Sequence, residues 1–423
     1  MNRFFFRKVF LAFMAGVLIT LFASGASAVS AASKFSQEEL AYMPAVQLIE
    51  LFQKGETTPS EVLEAQINRV KKYNGEYNVS RRDLVNELDT FNAGKVNAIT
   101  FDNFAEARKL AKEADERYRN GSARRLEGIT IGIKDENEVE GWRVDAGSLL
   151  LKDCEPSAAD GAMIQKLMQD VIAGPSPEIH ATIRPKLDYP QEYASIQGQK
   201  VAVAYCRNWL QGGLSQESDH AMDATVAALK EAGAQVEQIE LDVSAENFMP
   251  TYFKGLMSTS MYAIFNGLDE HRDQFSSYVK NLEAYAGKLT PQDQVDAEKM
   301  LGKLHRDVQQ KVFEKGCIAL VMPTLATPYF PADLEATPDK AAQVRGKTYS
   351  STNLMLTPIW NLASRYPVVD MPVELSDKNV PVGVQIVSNT YDDLNAFRVA
   401  YALSKVIAPL YKDGRFPDFR NEK

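Results

Sequence analysis

The feature that most constrains the fold of this chain is a series of short apolar segments that alternate with amphipathic helices. The segments have the length and composition of buried strands, and they are Val201–Tyr205, Ala234–Leu241, Cys317–Met322, Val368–Val373 and Val380–Val387. Apolar stripes at helical spacing lie between or after them, as in Met222–Leu229 and Leu394–Tyr401. Alternating strands and helices predict an α/β fold in which helices cover a sheet on both faces.

Helix signals dominate the region before these segments. Ser36 with Glu39, and Thr58 with Glu61, have the spacing of capping boxes, which predicts two helix starts. Gly55 predicts the end of the helix between them. Three further stretches are assigned from the same kind of pattern: a strand at 98–100, a helical stripe at 107–118 and mostly helical chain at 250–315.

The first 28 residues have the pattern of a secretory signal peptide. Arg3, Arg7 and Lys8 precede an apolar run from Val9 to Ala23, and a small-residue cleavage site ends near Ala28. A transmembrane anchor is the alternative, but the run is shorter than the roughly 20 residues that span a bilayer. The sequence therefore predicts export to the periplasm or secretion, with no stable membrane insertion after cleavage. Residues 29–423 are then predicted to form a single α/β domain.

Charge and cysteine content exclude several classes of protein. The net charge of −9 over 423 residues becomes −12 once the three leader cations are removed. A nucleic acid or an anionic membrane surface is therefore not expected as a partner, because each requires a basic face. Cys154, Cys206 and Cys317 are far apart, which argues against a disulfide scaffold or a thiolate metal site. Cys206 continues an apolar run and is predicted to be simply buried.

Standard signatures of metal, dinucleotide, phosphate and serine-hydrolase sites are absent from the sequence. The cluster Asp135, Glu136 and Glu138 does not have the spacing of a metal cage, and Asp392-Asp393 is interpreted as the start of the final helix. The histidines have no partner at a diagnostic spacing and are interpreted as solvated; they are His180, His220, His271 and His305. We expect no metal and no cofactor.

Lys134 stands out from the apolar sequence that precedes it. Glu127 to Lys134 is predicted to be a buried strand, and a polar loop follows. The carboxyl end of a buried strand is where active sites form in α/β proteins. A desolvated lysine there could act as a neutral general base. The alternative interpretation is a surface lysine paired with Asp135.

Several segments together carry a family resemblance. Around Lys134 they are Leu126–Asp135 (LEGITIGIKD), Glu140–Trp142 and Ala146–Ser148; elsewhere they are Gly55–Ser60, Asp170–Pro175, Met322–Pro328 and Pro381–Val387. This set resembles the amidase signature family and spans nearly the whole mature chain. The resemblance implies a mixed central β-sheet covered by helices on both faces.

The resemblance also implies a chemistry: hydrolysis of small-molecule carboxylic amides by a Ser–cisSer–Lys triad without metal or cofactor. One serine attacks the carbonyl carbon, and the second relays its proton to an unprotonated lysine. Backbone N–H groups of a Gly-rich loop hold the oxyanion. Lys134 takes the position of the triad lysine, the general base.

Neither triad serine has a counterpart in this sequence. The single Gly-Gly pair, Gly212-Gly213, and the serine pairs Ser276-Ser277 and Ser350-Ser351 are not in the family's serine-rich context. The helix predicted at 161–169 runs directly into the linker that begins at Asp170. A segment on the order of a hundred residues, with its central strands, is therefore missing near 169/170.

We therefore expect an internally truncated chain that keeps Lys134 and is catalytically defective, because the triad groups act as a unit. Two alternatives stay open. One is a residual hydrolase that recruits another nucleophile, for example Ser148. The other is a non-catalytic periplasmic protein that binds a small-molecule ligand in the former substrate cleft.

Overall fold

The computed structural model describes residues 34–74, 98–99, 101–144, 155–158, 187–190, 192–257, 272–273, 275, 277–286, 290–330, 340–408 and 410. The chain divides into two compact units, Met1–Leu187 and Asp188–Lys423, and each is described by itself. The predicted signal peptide at 1–28, Ser148 and the predicted junction near 169/170 lie outside the described residues. A single truncated domain over 29–423 therefore stays a prediction.

The described part of the first unit is built from four helices: α1 (Gln37–Tyr42), α2 (Ala45–Lys54), α3 (Pro59–Tyr73) and α4 (Phe104–Arg119). Both predicted capping boxes are formed. The hydroxyl of Ser36 accepts from the Glu39 N–H at 3.2 Å, and that of Thr58 accepts from the Glu61 N–H at 3.2 Å. Gly55 ends α2 in the left-handed conformation, as predicted.

Two small apolar clusters hold these helices together. The first joins α1, α2 and α3 through Leu40, Leu48, Phe52, Val62 and Ala65, and the second joins α3 to α4 through Leu63, Ile67 and Ala111. The clusters use one face of each helix, which is the face that the apolar spacing predicts.

A buried ion-pair network fixes the chain that follows α4. Glu127 is 5% exposed, and its carboxylate lies 2.9 Å from Arg117 Nη1 and 2.6 Å from Arg124 Nε. Hydrogen bonds from Arg124, reinforced by Arg117, lower the pKa of Glu127 to about 2. The Tyr118 hydroxyl donates to the backbone carbonyl of Glu127 at 3.0 Å. Side-chain and backbone contacts therefore both hold Glu127 against α4.

Two predicted strands are wrong. Residues 98–99 of the strand predicted at 98–100 are not in a strand, and the chain from Glu127 to Lys134 passes from a turn into irregular backbone that pairs with no described strand. Ile131, predicted to be buried, is 47% exposed. An apolar, β-branched sequence favours extended backbone, but a strand also needs a neighbour for its backbone hydrogen bonds. The described part of the first unit supplies no such neighbour.

The second unit contains all seven described strands: β1 (Lys200–Ala204), β2 (Gln235–Ile239), β3 (Cys317–Pro323), β4 (Ala341–Val344), β5 (Lys347–Ser350), β6 (Val368–Leu375) and β7 (Pro381–Ser388). Its described α-helices are α5 (Gln216–Glu231), α6 (Ala245–Tyr252), α7 (Ser277–Ala286), α8 (Pro291–Lys311), α9 (Pro358–Leu362) and α10 (Asp393–Val406). A π-helical turn at Phe253–Met257 extends α6. The five apolar segments predicted from the sequence are thus confirmed as strands.

Five of the strands form one mixed sheet in the order β2-β1-β3-β7-β6. β1 pairs in parallel with both β2 and β3, whereas β7 runs antiparallel to β3 and β6. The short β4–β5 hairpin stands apart from this sheet. It was not predicted, because its strands have four residues each and are mostly polar.

Helices cover this sheet on both faces, as predicted. Side chains alternate along each strand, so β1 and β3 contribute to two separate cores. One core joins Ala202, Leu320 and Met322 to Phe248 of α6 and Val308 of α8. The other joins Val201, Ala319 and Val321 to Met222 and Leu229 of α5 and to Val399 and Leu403 of α10.

β6 is an edge strand, although its apolar sequence predicted a buried one. Val368 is 38% exposed and Pro372 is also exposed. The Ser388 N–H of β7 donates to the carbonyl of Pro367 at 3.1 Å. Since backbone groups alternate sides along a strand, those of Val368, Asp370 and Pro372 face away from β7. Pro372 has no N–H to present on that edge.

The two described cysteines of this unit are free and buried. Cys206 is 1% exposed, which confirms that it is simply buried. Burial raises the pKa of the Cys206 thiol well above its usual range and that of the Cys317 thiol to about 11. Both thiols are therefore protonated and unreactive near neutral pH.

We expect Glu127→Gln to loosen the carboxyl end of α4. The carboxylate pKa is about 2 in the fold against an ordinary 4.5, so its contribution is complete above pH 4.5 and is lost as the pH falls towards 2. The shift corresponds to roughly 3 kcal/mol, and we expect about half of it to disappear at pH 7 because glutamine keeps some hydrogen bonds. Amide hydrogen exchange of α4 measures the loss.

Glu116→Gln is the matched control for this prediction, since Glu116 is exposed on the same helix. In this control variant the amide hydrogen exchange of α4 should be the same as in wild type at every pH. Equal protection of α4 in both variants at pH 7 would contradict the role given to Glu127. The difference between wild type and Glu127→Gln should also shrink as the pH falls below 4.5.

Candidate functional site

The segment that carries Lys134 is anchored at its beginning by a close approach of the Gly128 backbone to the Pro59 ring. Gly128 lies against the first residue of α3 with φ of 78°, a left-handed conformation. A Cβ at this position would lie 2.4 Å from Pro59 Cγ and 2.8 Å from Pro59 Cβ. Glycine is therefore required both for the backbone conformation and for the contact. Two residues later, the Thr130 hydroxyl donates to Gln66 Oε1 at 2.6 Å.

The segment is exposed by the point where it reaches Lys134. The Lys134 side chain is 74% exposed, and its Nζ lies 2.8 Å from Glu136 Oε1. The Lys134 carbonyl accepts from both the backbone N–H and the side-chain amide of Asn137, at 3.0 and 3.1 Å. The predicted surface ion pair is thus formed, but with Glu136 where Asp135 was expected.

This environment is the opposite of the one that general-base catalysis requires. A lysine that serves as a general base is held in a desolvated site, whereas the Lys134 side chain is largely exposed. Among the described residues no serine hydroxyl contacts Lys134 Nζ. Lys134 therefore has neither the burial nor a described neighbour through which it could accept a proton.

A cleft of about 970 Å³ opens in the first unit beside this segment. Its walls come from α3, α4 and the chain at 126–144, and they are mostly apolar. Three large apolar side chains on these walls are exposed, namely Phe101 at 40%, Leu110 at 52% and Ile131 at 47%. Lys134 lies at the wall of this cleft. The volume is in the range of small-molecule sites, but no serine is among the described lining residues.

A second polar group lies in the other unit, where β1 ends, and sequence reasoning missed it. It consists of Tyr205, Arg207, Asp219, Asp223 and Arg345, joined by hydrogen bonds, ion pairs and ring stacking. The signal that could have found it is the position of Arg207 directly after a buried strand. Asp219 and Arg345 are too distant in sequence for any local pattern to bring them there.

The remaining residues singled out from the sequence have structural roles where they are described. His220 is exposed on α5, and His305 Nδ1 is 2.7 Å from the Tyr366 hydroxyl, a partner 61 residues away. Asp392 accepts from the Asn395 N–H at 3.2 Å and begins α10, as predicted. His180 and His271 lie outside the described residues. Within the described ranges no group of acidic, His and Cys side chains has the arrangement of a metal site.

Comparison with protein-family models identifies the family that these elements belong to. The amidase family model matches residues 84–174 and 166–396. Among curated proteins, the chain is 24% identical over 322 residues to a glutamyl-tRNA(Gln) amidotransferase subunit of Xanthobacter autotrophicus. That match covers 68% of this chain and 60% of the relative. A mitochondrial glutamyl-tRNA(Gln) amidotransferase subunit of Dictyostelium discoideum is 30% identical over 104 residues, or 25% of this chain and 16% of the relative. The chain thus spans less than two thirds of these relatives.

Solved structures show the same fold. A bacterial aryl acylamidase of the amidase signature enzymes aligns with a TM-score of 0.69 at 15% identity, covering 87% of this chain and 96% of the other. An inhibitor-bound vestigial complex related to an s-triazine catabolic enzyme aligns with a TM-score of 0.70 at 16% identity, covering 88% and 100%. In addition, no helix within the described ranges is long and apolar enough to cross a membrane.

We expect Gly128→Ala to detach the segment from α3. The new methyl group would clash with Pro59, and the left-handed backbone disfavours any side chain, so the anchored turn should lose about 2 kcal/mol or more. Limited trypsin digestion should cut faster after Arg124 or Arg125 than in wild type. Gly121→Ala is the control, because Gly121 has φ of 74° but its added methyl group would have no atom within 4 Å. Equal digestion of the two variants would contradict the requirement for close contact.

Proposed function

The chain belongs to the amidase family, whose members hydrolyse amides, and from this premise we propose that it is an exported member that no longer catalyses hydrolysis. Its ligands are proposed to be small-molecule amides or their relatives.

The observation that carries the proposal is the environment of Lys134. The family resemblance assigns this lysine the role of a neutral proton acceptor, yet its side chain is 74% exposed and paired with Glu136 at 2.8 Å. The apolar stretch before it has no described strand beside it. Proton transfer requires a lysine to be held within hydrogen-bond distance of a serine, and among the described residues nothing holds Lys134 in this way.

The sequence supports the same proposal independently. Neither the serine-rich stretch nor the Gly-rich nucleophile loop of the family occurs in the chain. The family match falls into two segments that overlap at 166–174, on either side of the predicted junction near 169/170. A nucleophile, its relay and the oxyanion donors act as a unit, so their joint loss removes nearly all of the acceleration.

Labelling with a serine-directed fluorophosphonate, followed by intact-mass measurement, tests the proposal. We expect no adduct on the purified chain under conditions that label an active serine amidase to completion. A single stoichiometric adduct would contradict the proposal, because it would show a working nucleophile. Circular dichroism on the same sample should show a cooperative transition, so that the absence of an adduct is not a consequence of unfolding.

Ser148→Ala distinguishes the residual-hydrolase alternative. If the wild-type chain forms an adduct and the Ser148→Ala variant does not, then Ser148 is the recruited nucleophile. Lys134→Ala should then slow labelling by a factor of about 100 or more, the usual contribution of a general base. An adduct that survives both substitutions would place the nucleophile elsewhere in the chain.

Export is the second part of the proposal, and it rests on the cations before the apolar run. We expect cells that express the full chain to contain, outside the cytoplasm, a product whose amino-terminal residue is Val29. Replacing Arg3, Arg7 and Lys8 with glutamate should retain the uncleaved chain inside, because the charged region before the apolar run directs insertion. Amino-terminal sequencing of fractionated cells measures this. Cleavage of the substituted leader at the same rate would overturn the assignment.

A further inference from the structure

The carboxyl end of β1 is a topological switch point of the sheet. The chain leaves β1 through α5 to reach β2 on one side, and later returns through α6 and α8 to β3 on the other side of β1. α5 contributes to the core on one face of the sheet, whereas α6 and α8 contribute to the core on the opposite face. In open α/β sheets, ligands bind in the crevice formed where successive connections diverge in this way.

Backbone strain is concentrated at the same place. Four described residues other than glycine have a left-handed backbone: Cys206, Arg345, Asn379 and Tyr391. Two of them lie here, since Cys206 with φ of 52° is two residues beyond the end of β1 and Arg345 with φ of 50° is at the tip of the β4–β5 hairpin. Such conformations cost on the order of 1–3 kcal/mol each. They persist where surrounding contacts hold them, and here they direct two arginines to one carboxylate.

Asp219, in the first turn of α5, is that carboxylate. Arg345 Nη2 donates to Asp219 Oδ2 at 2.6 Å, and Arg345 Nε donates to the carbonyl of Leu214. Arg207 Nε lies on the other side, 3.6 Å from Asp219 Oδ1, which is an ion-pair distance but longer than a hydrogen bond. Arg345 is therefore engaged with Asp219, and Arg207 is only attracted to it.

Arg207 is nevertheless held in one orientation. Its guanidinium lies over the Tyr205 ring at 4.3 Å from the centroid, and the Tyr205 hydroxyl donates to Asp223 Oδ1 at 2.6 Å, which fixes the ring. The Arg207 side chain is 53% exposed. Its terminal nitrogens have no hydrogen-bond acceptor among the described residues. The result is a pre-oriented, solvent-facing pair of N–H donors at the switch point.

We propose that Arg207 binds the carboxylate of a small ligand at the carboxyl end of β1. A planar guanidinium stacked on an aromatic ring matches a carboxylate with two parallel hydrogen bonds. Arg345 adds a second positive charge, but its guanidinium is engaged with Asp219. The Asp223 carboxylate is engaged with the Tyr205 hydroxyl, so Arg207 is the member of this group with donors left for the anion. The assignment goes beyond the loss of hydrolysis, because Arg207 lies in the second unit and has no part in the chemistry expected of Lys134.

Calorimetric titration of the purified chain with sodium succinamate, which carries one carboxylate and one amide, tests this assignment. We expect Arg207→Gln to weaken binding by about 10-fold or more, and Arg207→Lys to weaken it less, because lysine keeps the charge but not the planar pair of donors. Succinamide, the neutral diamide of the same length, should bind wild type more weakly than succinamate does by about the same factor. This difference in affinity between succinamate and succinamide should be absent in Arg207→Gln.

Arg306→Gln is the matched control, since Arg306 is an exposed arginine on α8 away from this group; it should bind succinamate as wild type does. Equal affinity of wild type and Arg207→Gln, with the same melting temperature, would overturn the assignment. Tighter binding of inorganic phosphate than of succinamate would overturn it as well, in favour of a general oxyanion site. Fluorophosphonate labelling does not involve Arg207, so this proposal and the loss of hydrolysis can fail separately.

Discussion

A strand is stable only when its backbone groups have partners, and this requirement governs which parts of the chain become ordered layers. The apolar segments between Lys200 and Ser388 satisfy it by pairing with each other, and the two cores form on the faces that this pairing creates. The segment from Glu127 to Lys134 has the same kind of sequence but no described neighbour. Its backbone forms no strand, Ile131 and Lys134 are exposed, and Lys134 pairs with the carboxylate of Glu136.

Local sequence patterns predicted the parts of the fold that depend on local physics. The sequence predicted both capping boxes, the helix end at Gly55 and five strands, namely β1, β2, β3, β6 and β7. It could do so because apolar periodicity and cap chemistry act within a few residues. The burial of individual side chains could not be predicted in the same way. Val368 and Ile131 have sequence environments like those of Val201, yet both are exposed, since burial depends on neighbours from distant parts of the chain.

The candidate sites differ in the same respect. Lys134 was recognisable because its motif is contiguous, but its exposure and its pairing with Glu136 depend on which residues surround the segment, and the motif does not encode that. The group around Asp219 is the reverse case: its geometry is well defined, yet its members come from the end of β1, the first turn of α5 and a hairpin more than a hundred residues later. A sequence pattern identifies residues that act together only when the chain places them together locally.

The outer edge of β6 shows how the described sheet limits association with other molecules. An open edge normally invites a strand from another molecule, and repeated addition gives fibres. On β6 the outward positions carry the charge of Asp370 and the ring of Pro372, which interrupts the row of donors, and the register shifts just beyond. An incoming strand would meet an incomplete ladder of backbone donors. The edge is therefore a poor template for the repeated addition of strands from other molecules.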